Sequence, residues 1–210
     1  MKSAILSAIV IALAVAPAWA GQATSSNFYP VDKIKPYTSF LGFDHDKQDV
    51  LELETRLQNS GTNWHCTSDA QRLHCPLSGD TGSPGSNVYL RAPHVGDNGA
   101  TVSEFHVTML TDDQSKLAHL QPSAPAARFL GEDWTTIVFA LGKPTNEYDD
   151  GSTVQHLYCA ARELPSKPGE PHVARIYAMY ISSAKNLNVV TAVELSITDQ
   201  FLPPLAKPSC

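Results

Sequence analysis

Glu104-Phe105-His106-Val107-Thr108-Met109 alternates polar and apolar side chains, and Ala192-Val193-Glu194-Leu195-Ser196-Ile197 repeats the alternation 88 positions later in the same phase. Successive side chains of a strand point to opposite faces, so each stretch reads as a half-buried antiparallel strand with Phe105, Val107, Met109, Val193, Leu195 and Ile197 turned inward. Reading back from each strand meets a similar order of elements. Phe40-Leu41-Gly42-Phe43-Asp44 is echoed by Phe129-Leu130-Gly131-Glu132-Asp133. After the first, a helix is predicted over about 47–58, with Asp44 or Asp46 as cap, Val50, Leu53 and Leu57 on one face, and Gly61 as stop. After the second, a helix is predicted over about 134–141, capped by Asp133. Trp134, Ile137, Val138 and Leu141 form its apolar face, and Gly142 and Pro144 end it.

Each helix leads into a hairpin. The first joins 63–66 to 72–75 through a turn at Ser68-Asp69. The second joins Glu147-Tyr148 to 154–160 through Asp149-Asp150-Gly151-Ser152, a strong turn signal. Cys159 falls at the place in its hairpin that Cys75 holds in the first. Further strands are expected at 87–91 and 173–182. The expected architecture is therefore α+β, built as two tandem helix-plus-antiparallel-sheet repeats at 39–110 and 128–200 and stapled by disulfides. A polar linker at 111–127 carries Pro122 and Pro125, an extended lead-in at 21–38 precedes the repeats, and a tail at 201–210 follows.

Residues 1–20 read as a secretory signal peptide: Lys2, an apolar run from Ala4 to Ala16, and a small-x-small site at Ala18-Trp19-Ala20, with cleavage expected after Ala20. The apolar run is short for a bilayer span, so no membrane insertion is expected after cleavage. No cysteine closely follows the run, which disfavours a lipid anchor. Removing residues 1–20 takes away only Lys2 among the charges, leaving 14 Lys+Arg against 21 Asp+Glu, a net charge of −7. An acidic surface argues against nucleic acid and anionic membranes as partners, and it tolerates a basic protein. The location expected is periplasmic or secreted.

Four cysteines, Cys66, Cys75, Cys159 and Cys210, remain in the mature chain. An even number in an exported protein points to two disulfides with three possible pairings. Cys66–Cys75 with Cys159–Cys210 is preferred, because the first pair flanks a turn and the second pins the tail.

The run Leu141-Gly142-Lys143-Pro144-Thr145, followed by Tyr148, Asp150-Gly151 and His156-Leu157-Tyr158, resembles the helix-to-hairpin signature of two groups. These are the beta-lactamase inhibitor protein family and the SmpA/OmlA outer-membrane assembly lipoproteins. The likeness covers about 60 residues of the second half. In the first half Leu57-Gln58-Asn59-Ser60-Gly61 replaces the Leu-Gly-x-Pro element. The resemblance to the inhibitor family implies two units in tandem whose combined sheet grips a partner enzyme.

Catalytic and metal motifs do not stand out. His65 and His74 flank the first hairpin and with His45 suggest a metal set, but no HxH or HxxxH spacing supports it. Gly82-Ser83-Pro84-Gly85-Ser86 is not a nucleophile elbow, and Gly142-Lys143 lacks the upstream glycine of a P-loop. Asp112-Asp113 and Asp149-Asp150 sit in turn contexts, where aspartate bonds to nearby backbone. No cofactor and no metal are expected. If one helix per half covers one face of the sheet, the other is open, and Glu104, His106, Thr108 and Glu194 would lie on it. On 173–182 one face offers Arg175, Tyr177 and Met179, the other Ile176, Ala178 and Tyr180. Arg175 and Tyr177 are assigned to the exposed side, as residue types that dominate protein contacts. The function expected is non-enzymatic capture of a protein partner on this face, inhibitor-like or immunity-type. The alternatives are an envelope assembly or maintenance factor, and a hydrolase whose site is assembled from distant residues.

Overall fold

The second hairpin closes at its expected turn, whereas the first turns at Asp69, one residue later than expected, and its outer strand is Thr67–Ser68 rather than 63–66. In the second, Asp150 Oδ1 accepts the backbone N–H of Ser152 (2.9 Å) and of Thr153 (2.7 Å), which fixes the bend between the strands. The computed structural model describes residues 28–43, 50–69, 71–77, 85–91 and 104–210. Among them, eight strands form one antiparallel sheet: β1 (Thr67–Ser68), β2 (Arg72–Pro76), β3 (Asn87–Arg91), β4 (Glu104–Leu110), β5 (Asn146–Asp149), β6 (Thr153–Glu163), β7 (His172–Ala184) and β8 (Ala192–Leu202). Their order across the sheet is β1-β2-β3-β4-β8-β7-β6-β5. Each half is thus a four-stranded meander, and the meanders meet where β4 pairs with β8. There Phe105 faces Ile197, Val107 faces Leu195 and Met109 faces Val193.

Among the described residues the short α-helices are α1 (Val31–Ile34), α2 (Val50–Gln58), α3 (Gln114–Leu117) and α4 (Trp134–Leu141). Helix α2 ends at Gln58, as expected; its expected first turn at 47–49 and its proposed caps Asp44 and Asp46 lie outside the described residues. Val50, Leu53 and Leu57 are the buried residues of α2. At α4, Asp133 accepts the N–H of Thr136 (2.7 Å), and Gly142, at φ +78°, ends the helix. The paired segments at Phe40 and Phe129 share a physical feature: both aromatics are buried, and Gly42 (φ +67°) and Gly131 (φ +79°) both hold left-handed backbone that favours glycine.

The cores of the halves are continuous. One hydrophobic cluster includes Leu73, Val88, Phe105, Val107, Leu195, Met179 and Tyr158, spanning β2 to β6. What the structure shows is one eight-stranded antiparallel sheet with few short helices, of the α+β class. The stretch 111–127 is not a loose polar linker. It winds through α3 and short 3₁₀ turns that bury Leu117, Leu120, Ala124, Ala126 and Ala127. Its polar residues mislead because short turns can still aim most of their apolar side chains into the core. The lead-in also departs from expectation. It forms α1, and it docks on the second half: Tyr29 donates its backbone N–H to Cys159 O (2.7 Å) and its hydroxyl to Leu141 O (2.6 Å).

The disulfides are Cys66–Cys75 and Cys159–Cys210. Such bonds suit an oxidising compartment outside the cytoplasm. Cys75 and Cys159 hold comparable hairpin positions but opposite sides of the sheet. Cys75 lies in the main core, and Cys159 in a smaller cluster on the other face.

Candidate functional site

Antiparallel register sorts the strand residues into two faces, since directly opposed side chains point the same way. On the core face run Leu90, Phe105, Ile197 and Tyr177, and beside them Val88, Val107, Leu195, Met179 and Tyr158. Three of the parallel rows on the other face carry its polar side chains. One is Arg72, Arg91, Glu104, Thr198 and Ile176. The middle row is His74, Tyr89, His106, Ser196, Ala178 and Cys159. The third is Asn87, Thr108, Glu194, Tyr180, Leu157 and Asn146.

This second face has two characters. Over β6 and β7 it is apolar and covered: Leu157, Cys159, Ala174, Ile176 and Ala178 are buried, with Phe28, Leu202 and Cys210 packed against them. The tail returns across it, tied by the Cys159–Cys210 disulfide and by reciprocal hydrogen bonds between the Gln200 side chain and the Ser209 backbone. Over β2, β3, β4 and β8 it is polar, and its side chains are exposed or half-buried. No described element packs there as the tail does on the other half. A shallow depression of about 260 Å³ opens at its edge, lined in part by Thr67, Arg72, His74 and Tyr89.

Glu104, His106, Thr108 and Glu194 stand together on the polar half of this face. Arg175 and Tyr177 do not. They lie on the core face at 3% and 6% exposure, and this corrects their assignment to the exposed side. The reason is register: Tyr177 opposes Ile197 and Arg175 opposes Asp199, both in phase with buried Leu195. Arg175 is held there by Asp199, with Nε to Oδ1 at 2.7 Å and Nη2 to Oδ2 at 2.8 Å. The tyrosines of this face are instead Tyr89, Tyr180 and Tyr148. The clue to Tyr180 was the polar residue Asp199 two places beyond Ile197, which marks a cross-strand charge pair and so sets the phase of β7.

The electrostatics of the face follow from partial burial. His106 lies 6.0 Å from the Tyr89 ring, centroid to centroid. Burial lowers its affinity for a proton below that of a free imidazole, partly opposed by Glu104. Glu104 is engaged by Arg91 at 3.9 Å. Burial raises the Glu194 carboxyl above the ordinary glutamate value. Tyr180 is raised by burial, then by Tyr148 and Glu194.

The other candidate chemistry is spread through the fold and locally committed. His65 is placed by its backbone N–H, which donates to Pro76 O (2.9 Å), and His45 lies outside the described residues, as do residues 82–84. Ser86 Oγ accepts from Leu110 N (3.0 Å). Asp113 accepts the Ser86 N–H (2.7 Å), and Asp149 pairs with Lys185 (2.7 Å). Among the described residues no group of three His, Cys, Asp or Glu side chains is placed to hold a metal ion. Among them also, no helix is long and apolar enough to cross a membrane. Compared with known proteins, the chain matches no family model, no curated protein and no solved structure.

Proposed function

We propose that this is an exported, non-enzymatic binding protein, inhibitor-like or immunity-type, that captures a protein partner on the polar half of the open sheet face. The observation that carries the reading is the division of labour between the faces. The core face is filled by helices and turns, whereas the polar half of the other face presents Tyr89, His106 and Glu194 on rigid strands, with Tyr180 at its border with the covered half. Side chains held by a sheet lose little further freedom on binding, which favours recognition by a preformed surface. The mirror-symmetric strand order supports an origin by duplication, in keeping with the resemblance to the tandem inhibitor family. The signal-like residues 1–20 and the two disulfides support a periplasmic or secreted site of action.

The test is site-specific photocrosslinking in cells that make the protein. A photoreactive residue at Ser196, central on the open face, is expected to give one discrete crosslinked protein. The same probe at Phe139, on α4 across the sheet, is expected to give none. Crosslinks from Phe139 alone would overturn the assignment of the contact face.

A further inference from the structure

Glu194 occupies an unusual position on the open face. It sits on β8 between two directly opposed neighbours, Thr108 on β4 and Tyr180 on β7. It is half-buried, yet among the described residues its carboxylate has neither a hydrogen-bond donor nor a cation at contact distance. The neighbouring Glu104 has Arg91, and Asp199, on the opposite face of the same strand, has Arg175. A carboxylate stripped of part of its water without a partner is unfavourable, and an incoming cation relieves that penalty.

The surroundings suit a cation. The Tyr180 ring stands across the strand from Glu194, and Tyr148 lies close enough to Tyr180 to couple with it electrostatically. Asn146, in the same row as Tyr180, donates to the Tyr148 hydroxyl at 3.1 Å and fixes that ring. Aromatic faces attract positive charge, and a carboxylate adds direct ion pairing. No lysine or arginine of this chain reaches the carboxylate among the described residues. The nearest charged row holds Arg91, already drawn to Glu104.

We infer that Glu194, with Tyr180 opposite it and Tyr148 behind Tyr180, is the subsite that receives a cationic side chain, arginine or lysine, of the protein partner. The inference rests on the reading of this face as the contact surface. The net charge of the chain, −6 over all residues, draws a basic partner toward it at long range. Glu194 then supplies the short-range selection.

The probe is the peptide acetyl-Gly-Arg-Gly-amide, with acetyl-Gly-citrulline-Gly-amide as its uncharged counterpart, titrated into the isotope-labelled, disulfide-intact protein. Saturable amide shifts centred on Thr108, Tyr180 and Glu194 are expected from the arginine peptide only, and are lost in Glu194→Gln. That variant keeps the side-chain shape, and an otherwise unchanged spectrum shows that it is folded. Equal shifts with the citrulline peptide, or undiminished shifts in Glu194→Gln, overturn the inference. With the protein crosslinked from Ser196 in hand, Glu194→Gln should weaken its binding about 30-fold, with a loss of salt dependence. Unchanged affinity and salt dependence also overturn the subsite. If Ser196 yields no crosslinked protein while the arginine peptide binds specifically, the subsite stands and the protein-capture reading fails.

Discussion

At the scale of single residues, two charges on β8 behave in opposite ways. Asp199 grips Arg175 through two hydrogen bonds in a site where both side chains are under a tenth exposed. Asp199→Ala strands a buried guanidinium without its carboxylate and should cost about 3–5 kcal/mol in urea unfolding. The double change Arg175→Met with Asp199→Leu removes both charges and should recover most of the loss. Glu194 has no such partner. Its carboxyl is held above the ordinary value by burial, so the folded chain takes up its proton at higher pH than the unfolded one. Stability from this group therefore falls as pH rises from the ordinary glutamate range to the raised folded value, and stays low above it. Glu194→Gln should unfold at higher urea concentration than the parent near neutral pH. The difference should close below the ordinary glutamate range, and a difference constant with pH would contradict the assignment.

At the scale of elements, α2 and α4 look alike in sequence and pack differently. Helix α2 buries Val50, Leu53 and Leu57, whereas α4 has Leu141 as its one buried residue. Trp134 lies against His156 with centroids 4.9 Å apart, and Phe139 is 88% exposed. Phe139→Ser should therefore change stability by no more than about 0.5 kcal/mol in thermal melts, while improving solubility at high concentration. The legibility of strands follows the same logic. Strands β4 and β8 show their phase in sequence because apolar residues line one side and polar residues the other. Strand β7 does not, because both its sides are covered: the main core holds Tyr177, Met179 and Ile181, and the smaller cluster holds Ala174, Ile176 and Ala178. A strand buried twice loses its period-2 contrast, and its phase then depends on neighbours far away in sequence. Hence Glu104, His106, Thr108 and Glu194 can be grouped from sequence, while Arg175 and Tyr177 cannot be placed.

For the whole molecule, the disulfides differ in what they restrain. Cys66–Cys75 closes a separation of 9 residues, and Cys159–Cys210 one of 51. Chain-entropy reasoning gives about 2.6 and about 4 kcal/mol respectively. Cys159→Ser with Cys210→Ser should therefore lower the urea midpoint more than the corresponding change at Cys66 and Cys75. It should also free the tail, exposing Leu157 and Ile176 to a dye that binds apolar surface; absence of added dye binding would show that the tail is not what covers them. Turn residues, caps and cysteine spacing make much of the order of elements legible. The docking of 28–34 on the second half and the burial of 111–127 are not, since both depend on contacts between segments far apart in the chain.

The two outermost strands are the shortest. Strand β1 has two residues, and the four-residue β5 is continued alongside β6 by the backbone of Tyr29. Long bare edges invite other chains to add a strand, and here each border is cropped or already occupied. A guest protein thus has little backbone ladder to join. Whatever this sheet holds, it must hold through the identities of its side chains, so single substitutions on the open face should decide which guest is accepted.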